Sequence, residues 1–431
     1  MSACLPGSVL IEGLRRKVGG VFAGEPQRSG PITAVPLLET AGRRTTSPGA
    51  MPLSQALRTG LVVASECVRA AVGRLLLENQ SGDRWVMGLL GETLLGGKQD
   101  RALDASILVP PSARVEVPVN CVEQPRWSCV DAFESCTRIS SLSVRTVISR
   151  ESGTRLEHRQ RRVWRAVAHT TADLGAKRGV LRDALRVADQ VVGPLADAIH
   201  VQPDQVGLSL FHGDRLVALE LFNEREQLAH YHPDLVRSVL IDVVRLVSHD
   251  LDSGSADAGL AQKTSEVLDA IVNAVWEQRS SVGGGQQLCT RVGGQSVRAL
   301  IGTTGLEYLG AHAGPPAVTL AQGLGDGPFE LRFECDAAPM GQVNVGQGKV
   351  VVGRSGSCCV QVPEETVSRR HLQIDFSNAK TAVFTDLGSS NGLWMEGERV
   401  LFAEVPQGTP VLLGKHVSVS WRLARSQDGD R

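Results

Sequence analysis

Two hydrophobic rhythms divide this 431-residue chain. From about residue 329 onward the period is two: Phe329, Leu331, Phe333 and Cys335 alternate with Glu330, Arg332 and Glu334. Leu372, Ile374 and Phe376 repeat the alternation, as do Val417, Val419, Trp421 and Leu423. Successive side chains of a strand point to opposite faces, so this pattern predicts a half-buried antiparallel sheet.

Upstream the rhythms are mixed. Ile32–Leu38, Arg74–Leu77, Trp85–Leu90, Ser106–Val109 and Arg114–Val119 read as strands separated by turn residues. Pro52–Gly60 reads as a short helix stopped by its glycine, and Leu181, Leu185, Ala188, Val192, Leu195 and Ile199 form one helical stripe that Pro194 should kink. Val206–Phe211 and Leu216–Phe222 predict a hairpin. A helix opened by Pro233 carries Leu235, Val239, Leu240, Val243 and Leu246 on one face, and another is expected over about 264–278. Ser296–Ile301 and Leu306–Gly310 return to strand after Gly283-Gly-Gly285.

These elements predict an α+β N-terminal domain over 31–313, with sheet first, helices later and strands returning, followed by an all-β sandwich over 329–424. Residues 1–30 hold little periodicity and several glycines, so a poorly ordered lead-in is expected there. A Gly/Pro linker is expected over 314–328, and a disordered tail over 425–431.

Composition narrows the function classes. The formal net charge is -1, so no overall basic field calls for nucleic acid or an anionic membrane. Nine cysteines stand without Cys-x-x-Cys or metal-ligand spacing. They read as reduced thiols of a cytoplasmic protein, with no metal or other cofactor expected. No window approaches the run of about 18 apolar residues that a membrane helix needs.

Candidate chemistry concentrates near the C-terminal end, in Val351-Val-Gly-Arg354, Ser368-Arg-Arg-His371 and Asp386-Leu-Gly-Ser-Ser-Asn-Gly392. Arg354 and Arg369 bring charge and forked N–H donors, Ser368 and Ser390 bring hydroxyls, and the Asn391 amide can hold an extended peptide backbone. No carboxylate pair or nucleophile–base pair stands among them, so the set reads as a receptor for a phosphorylated residue and not as a catalytic centre. Singly, each residue has a plainer reading: Ser368 as a cap, 386–392 as an ordinary turn, Arg354 as a surface partner of Glu364 or Glu365. Between Pro328 and Ala424 stand nine Lys/Arg and ten Asp/Glu, so recognition would rest on a few directed, charge-assisted hydrogen bonds.

The Gly-Arg, Ser-x-x-His and Ser-Asn-Gly motifs, in that order and followed by Trp394-Met-Glu-Gly-Glu-Arg-Val400, resemble those of a forkhead-associated (FHA) domain. The resemblance implies a β-sandwich with recognition loops at one edge and a preference for phosphothreonine. It also implies phosphate contacts from Arg354 and Ser368 with Arg369 beside them, ligand contacts from Ser390 and Asn391, and a structural bracing role for Gly353, His371 and Gly392. The partner implied is a Thr-phosphorylated protein, either a serine/threonine kinase or one of its substrates.

In the N-terminal part, Gly91-Glu-Thr-Leu-Leu-Gly-Gly-Lys-Gln-Asp-Arg101 puts two glycines before a lysine. It is not a P-loop, because Glu92 stands where the first glycine belongs and Gln99 replaces the hydroxyl residue. This stretch, with Ile107-Leu-Val-Pro-Pro111, Pro118-Val-Asn-Cys-Val-Glu-Gln-Pro-Arg-Trp127 and Gln205-Val-Gly-Leu-Ser-Leu210, resembles the ARG and rhodanese-phosphatase-superfamily-associated protein domain. The resemblance points to Glu92, Lys98, Gln99, Arg101, Glu123, Gln124, Arg126 and Trp127 as a candidate ligand surface. Those residues suit a nucleotide or ADP-ribose-like molecule, with Trp127 stacking and the cations meeting phosphates, and they suit a buried salt-bridge network equally. The expected function is therefore a phosphothreonine-binding adaptor that positions a domain of unknown activity. The alternative is an enzyme or sensor for a nucleotide-derived ligand, regulated by the FHA part.

Overall fold

The computed structural model describes residues 7–40, 49–67, 73–123, 132–150, 156–176, 179–246, 259–293, 295–303, 305–313, 319–320, 327–335, 338–355, 358–364, 366–376 and 381–424. The chain divides into two compact units, Met1–Gly314 and Pro315–Arg431. The tail at 425–431 and most of the segment at 314–328 lie outside the described residues.

In the first unit, Gln205–His212 pairs antiparallel with Arg215–Phe222, as the hairpin pattern predicts. Nearly every side chain of both strands is buried, which requires cover on each face of their sheet. On one face Leu208, Leu210, Ala218 and Phe222 share a core with Leu185 and Val192 of helix Leu181–Asp197 and with Leu235 and Val239 of helix Arg225–Leu246. On the other, Val206, Leu219 and Leu221 pack with Leu10 and Leu14 of helix Gly7–Val18 and with Leu268 and Ile271 of helix Leu260–Val272. The hairpin lies within a nine-stranded sheet. Two smaller sheets, of three and six strands, take up the strands between Met51 and Ile139. The α+β expectation is met in part: the unit is sheet-rich, with most of its helices after Ile139, the hairpin among them, and strands returning from Glu277.

Three expectations are corrected. Residues 7–18 form a helix, because Leu10, Leu14 and Val18 recur every four positions and bury one stripe against the sheet. Pro233 sits inside helix Arg225–Leu246 instead of opening it. The turns before it are anchored by buried Leu228 and by Tyr231, whose hydroxyl donates to the Met87 carbonyl at 2.9 Å, and this outweighs the hydrogen bond that proline removes. The helix expected over 264–278 ends at Val272, where Asn273 caps it by donating from Nδ2 to the Asp269 carbonyl at 2.8 Å.

The second unit is a β-sandwich of two six-stranded sheets. Strands Phe329–Cys335 and Val417–Leu423 pair antiparallel in one sheet, and Lys349–Gly353, Leu372–Asp375 and Thr381–Asp386 are neighbours in the other. Their period-two faces meet in one core, in which Phe329 stacks on Phe376 with ring centroids 4.5 Å apart and Trp421 closes edge-on.

Candidate functional site

Three loops of the sandwich meet at one end. The first follows strand Lys349–Gly353, the second precedes Leu372–Asp375, and the third joins Thr381–Asp386 to Leu393–Met395. The first two are laced by backbone bonds, Arg354 N–H to the Ser368 carbonyl and Ser355 N–H to the Arg369 carbonyl, each 3.0 Å. Gly353 permits that approach: a Cβ there would lie 2.4 Å from the Arg369 carbonyl oxygen. Gly392, at φ 80°, makes the turn that leaves the third loop.

His371 links the second and third loops from below. It is fully buried. Its Nδ1 accepts from the Ser368 N–H at 3.0 Å, which leaves Nε2 to donate to the Gly392 carbonyl at 3.0 Å. Burial holds its pKa below the ordinary histidine value, against the opposing effects of the Gly392 carbonyl and Asp386. In the third loop, Asp386 Oδ1 accepts from Ser389 N–H and Ser389 Oγ accepts from Gly392 N–H. Asn391 donates from Nδ2 to the Thr366 carbonyl at 3.0 Å.

Together the loops enclose an open cavity of about 560 Å³, lined by Arg354, Ser355, Val367, Ser368, Arg369, Arg370, Gly388, Ser390 and Asn391. Arg354, Ser368, Arg369, Ser390 and Asn391, singled out from sequence, are all brought to it, while Gly353, His371 and Gly392 stand behind. Ser368 Oγ accepts from the Ser390 N–H at 2.9 Å, so its own proton can point into the cavity. Sequence reasoning missed Arg370, Ser355, Val367 and Gly388. The signal for Arg370 was its adjacency to Arg369 in a loop already recognised as cationic.

The candidate surface of the first unit is corrected. Glu92, Gln99, Arg101 and Glu123 are interior residues, and Lys98 is half-buried. Arg101 Nη1 donates to Gln99 Oε1 at 2.8 Å and to Cys121 Sγ at 2.6 Å, and its Nη2 lies 3.6 Å from Glu66. Gln99 and the Asp100 N–H both donate to Glu123, and Glu66 accepts from the Lys98 N–H. Glu92 accepts from Leu89 N–H and Thr137, with the Tyr231 hydroxyl oxygen 3.3 Å away, yet burial pushes its carboxyl up to about 7. These described residues lie in the interior, where the Arg101–Glu66 ion pair and hydrogen bonds to neutral groups hold them, and they do not form an exposed ligand surface. Gln124, Arg126 and Trp127 lie outside the described residues.

A second buried centre was not read from the sequence. Arg145 and Glu220, both fully buried, approach at 2.9 Å. Tyr308 donates to Glu220, and His312 Nε2 lies 3.1 Å from it. Burial alone would raise the Glu220 carboxyl, but Arg145 and His312 together hold it at about 2. A lone acid in the apolar run Leu216–Phe222 was the available signal, since a buried carboxylate needs a partner. No group of three or more His, Cys, Asp or Glu suited to a metal ion occurs among the described residues, and no described helix is long and apolar enough to cross a membrane.

Comparisons with known proteins follow this division. A family profile described as the ARG and Rhodanese-Phosphatase-superfamily-associated Protein domain matches residues 20–306, and one described as the FHA domain matches 350–414. No curated protein matches the chain. Among solved structures it is similar to the FhaA FHA domain, solved in complex with the intracellular domain of Rv3910, at 26% identity over 22% of this chain and 99% of that one, with a TM-score of 0.20. It is similar at 26% identity to FHA-1 of Rv1747 from Mycobacterium tuberculosis, over 23% of this chain and 99% of that one, with a TM-score of 0.20. A structure from a study of phosphothreonine-dependent FHA domain interactions matches at 25% identity over 22% and 99%, again with a TM-score of 0.20. The first profile spans more than half of the sequence: the chain belongs to the ARG and Rhodanese-Phosphatase-superfamily-associated Protein family and carries a C-terminal FHA domain.

Proposed function

We propose that the FHA domain binds a phosphothreonine of a partner protein, a serine/threonine kinase or one of its substrates, and that this docking brings the N-terminal unit to that partner. The observation that carries the reading is the convergence of Arg354, Arg369, Ser368 and Ser390 on one open cavity. Two guanidinium groups match the charge of a phosphate, about −1.5 to −2 at neutral pH, and the serines supply shorter donors. Asn391, one N–H of which is held by Thr366, keeps its Oδ1 and second N–H for the ligand backbone. His371 braces the serine and glycine loops from within. The FHA-domain profile over residues 350–414, which spans all of these residues, supports this reading.

The test is calorimetric titration of the full chain with matched peptides carrying phosphothreonine, phosphoserine or unmodified threonine. Binding of the first, weaker binding of the second and none of the third is expected. Equal binding of modified and unmodified threonine would refute the reading.

A further inference from the structure

Arg370 also lines the cavity, and the phosphate grip just described does not use it. Arg354, Arg369 and Arg370 are all exposed, and the nine lining residues include no Asp or Glu. The ion pairs of this unit among the described residues instead join Arg332 and Arg422 to Glu330. Three cations thus share a space in which one phosphate neutralises about two. Exposed arginines are ordinarily solvated singly, whereas here the backbones that carry Arg354 and Arg369 are laced together, Arg354 N–H to the Ser368 carbonyl and Ser355 N–H to the Arg369 carbonyl, and Arg370 follows directly. The Cys358 thiol, which donates to the Arg369 carbonyl at 3.1 Å, fastens the same turn from beneath. Holding like charges together is unfavourable unless an anion bridges them.

Resting on the proposed phosphothreonine reading, we infer that Arg370 recognises a second anionic group on the same ligand segment, so that the preferred partner is a doubly anionic peptide. The cavity, about 8 Å on a side from its 560 Å³, spans roughly two to three residues of extended chain at about 3.3 Å each. The second group therefore lies within about three residues of the phosphothreonine. A second phosphate and an Asp or Glu carboxylate share the chemistry that a forked guanidinium takes up, with phosphate the stronger acceptor because of its greater charge.

The experiment titrates the full chain with peptides in an otherwise neutral background. One carries phosphothreonine alone, a second set adds another phosphorylated residue up to three positions away on either side, and a third puts Glu at those positions. At one of these positions the second phosphate is expected to tighten binding about tenfold and Glu a few-fold, by an added charge-assisted contact. Arg370→Gln should erase that increment while weakening the singly phosphorylated peptide far less, and Arg370→Glu should turn the preference toward Lys at the same position. No gain from any second anion, or an equal loss on all peptides in Arg370→Gln, would overturn the inference and leave the phosphothreonine reading standing. No binding of any phosphopeptide by the wild-type chain would overturn both.

Discussion

Replacing His371 with Ala tests whether the recognition loops are held from inside the sandwich. The imidazole is fully buried and ties the Ser368 N–H to the Gly392 carbonyl, two groups 24 residues apart in sequence, the second of which also accepts from the Gly414 N–H at 2.9 Å. Its removal orphans the Ser368 N–H, at about 1–3 kcal/mol for a group kept from water, takes one of two partners from the Gly392 carbonyl, and leaves a cavity besides. Ser368 is only half-buried, so water reaches part of the loss, and about 2–4 kcal/mol is expected. That is a large share of the roughly 5–15 kcal/mol that holds a domain folded. Amide exchange in strands Leu372–Asp375 and Thr381–Asp386 of the full chain should quicken about 30-fold or more, since about 1.4 kcal/mol is a factor of ten. Phosphopeptide affinity should fall with it. Acidification should act in the same direction. The folded pKa of His371 lies below the unfolded value of 6.5, so its contribution is complete above 6.5 and is lost as pH falls through the folded value, when a proton on Nδ1 would face the Ser368 N–H. Exchange within about threefold of wild type in His371→Ala, with unchanged affinity, would refute the bracing argument.

Other perturbations probe different parts of the chain. Arg145→Met leaves Glu220 buried without its cation and should destabilise the first unit by about 3–5 kcal/mol, whereas Arg145→Met with Glu220→Met should recover much of it; calorimetric melting distinguishes the two. Glu92, raised to about 7 in the fold from 4.5, favours the folded state below about 4.5 and loses that contribution as pH rises through about 7. Glu92→Gln should flatten the dependence of the first unit's melting temperature on pH across that window. Gly353→Ala forces a methyl to 2.4 Å from the Arg369 carbonyl oxygen, which should part the loops at about 1–3 kcal/mol and abolish phosphopeptide binding. Gly346→Ala, where a Cβ meets nothing within 4 Å, is the control and should change neither property.

What was legible depended on how locally each feature is encoded. The period-two strands around Phe329 and Trp421 were readable because each buries one face against the other sheet, and the alternation survives in the sequence. The cavity residues were readable as donor chemistry because Gly353 and Gly392 fix the backbone at positions where few other residues fit. Adjacency to Arg369 was the one sequence signal for Arg370, and it became specific only once the loops that line the cavity were in place. The Glu92 and Arg101 strands are only five and three residues long, too short for alternation to reveal that their polar side chains turn inward. Proline rules put a helix start at Pro233, but anchoring by Tyr231 through Met87 is a tertiary effect that those rules do not contain.

The central claim is that Arg354 grips a phosphate in the loop cavity of the FHA domain. Titrating the full chain and its Arg354→Ala variant with one phosphothreonine peptide tests it most directly, since Arg354 is exposed and its loss should leave the fold intact. The account predicts affinity lost by about 50-fold or more, as for removal of a charge-assisted contact at the centre of a small site, with unchanged melting. A folded Arg354→Ala protein that binds the peptide as tightly as wild type would contradict it.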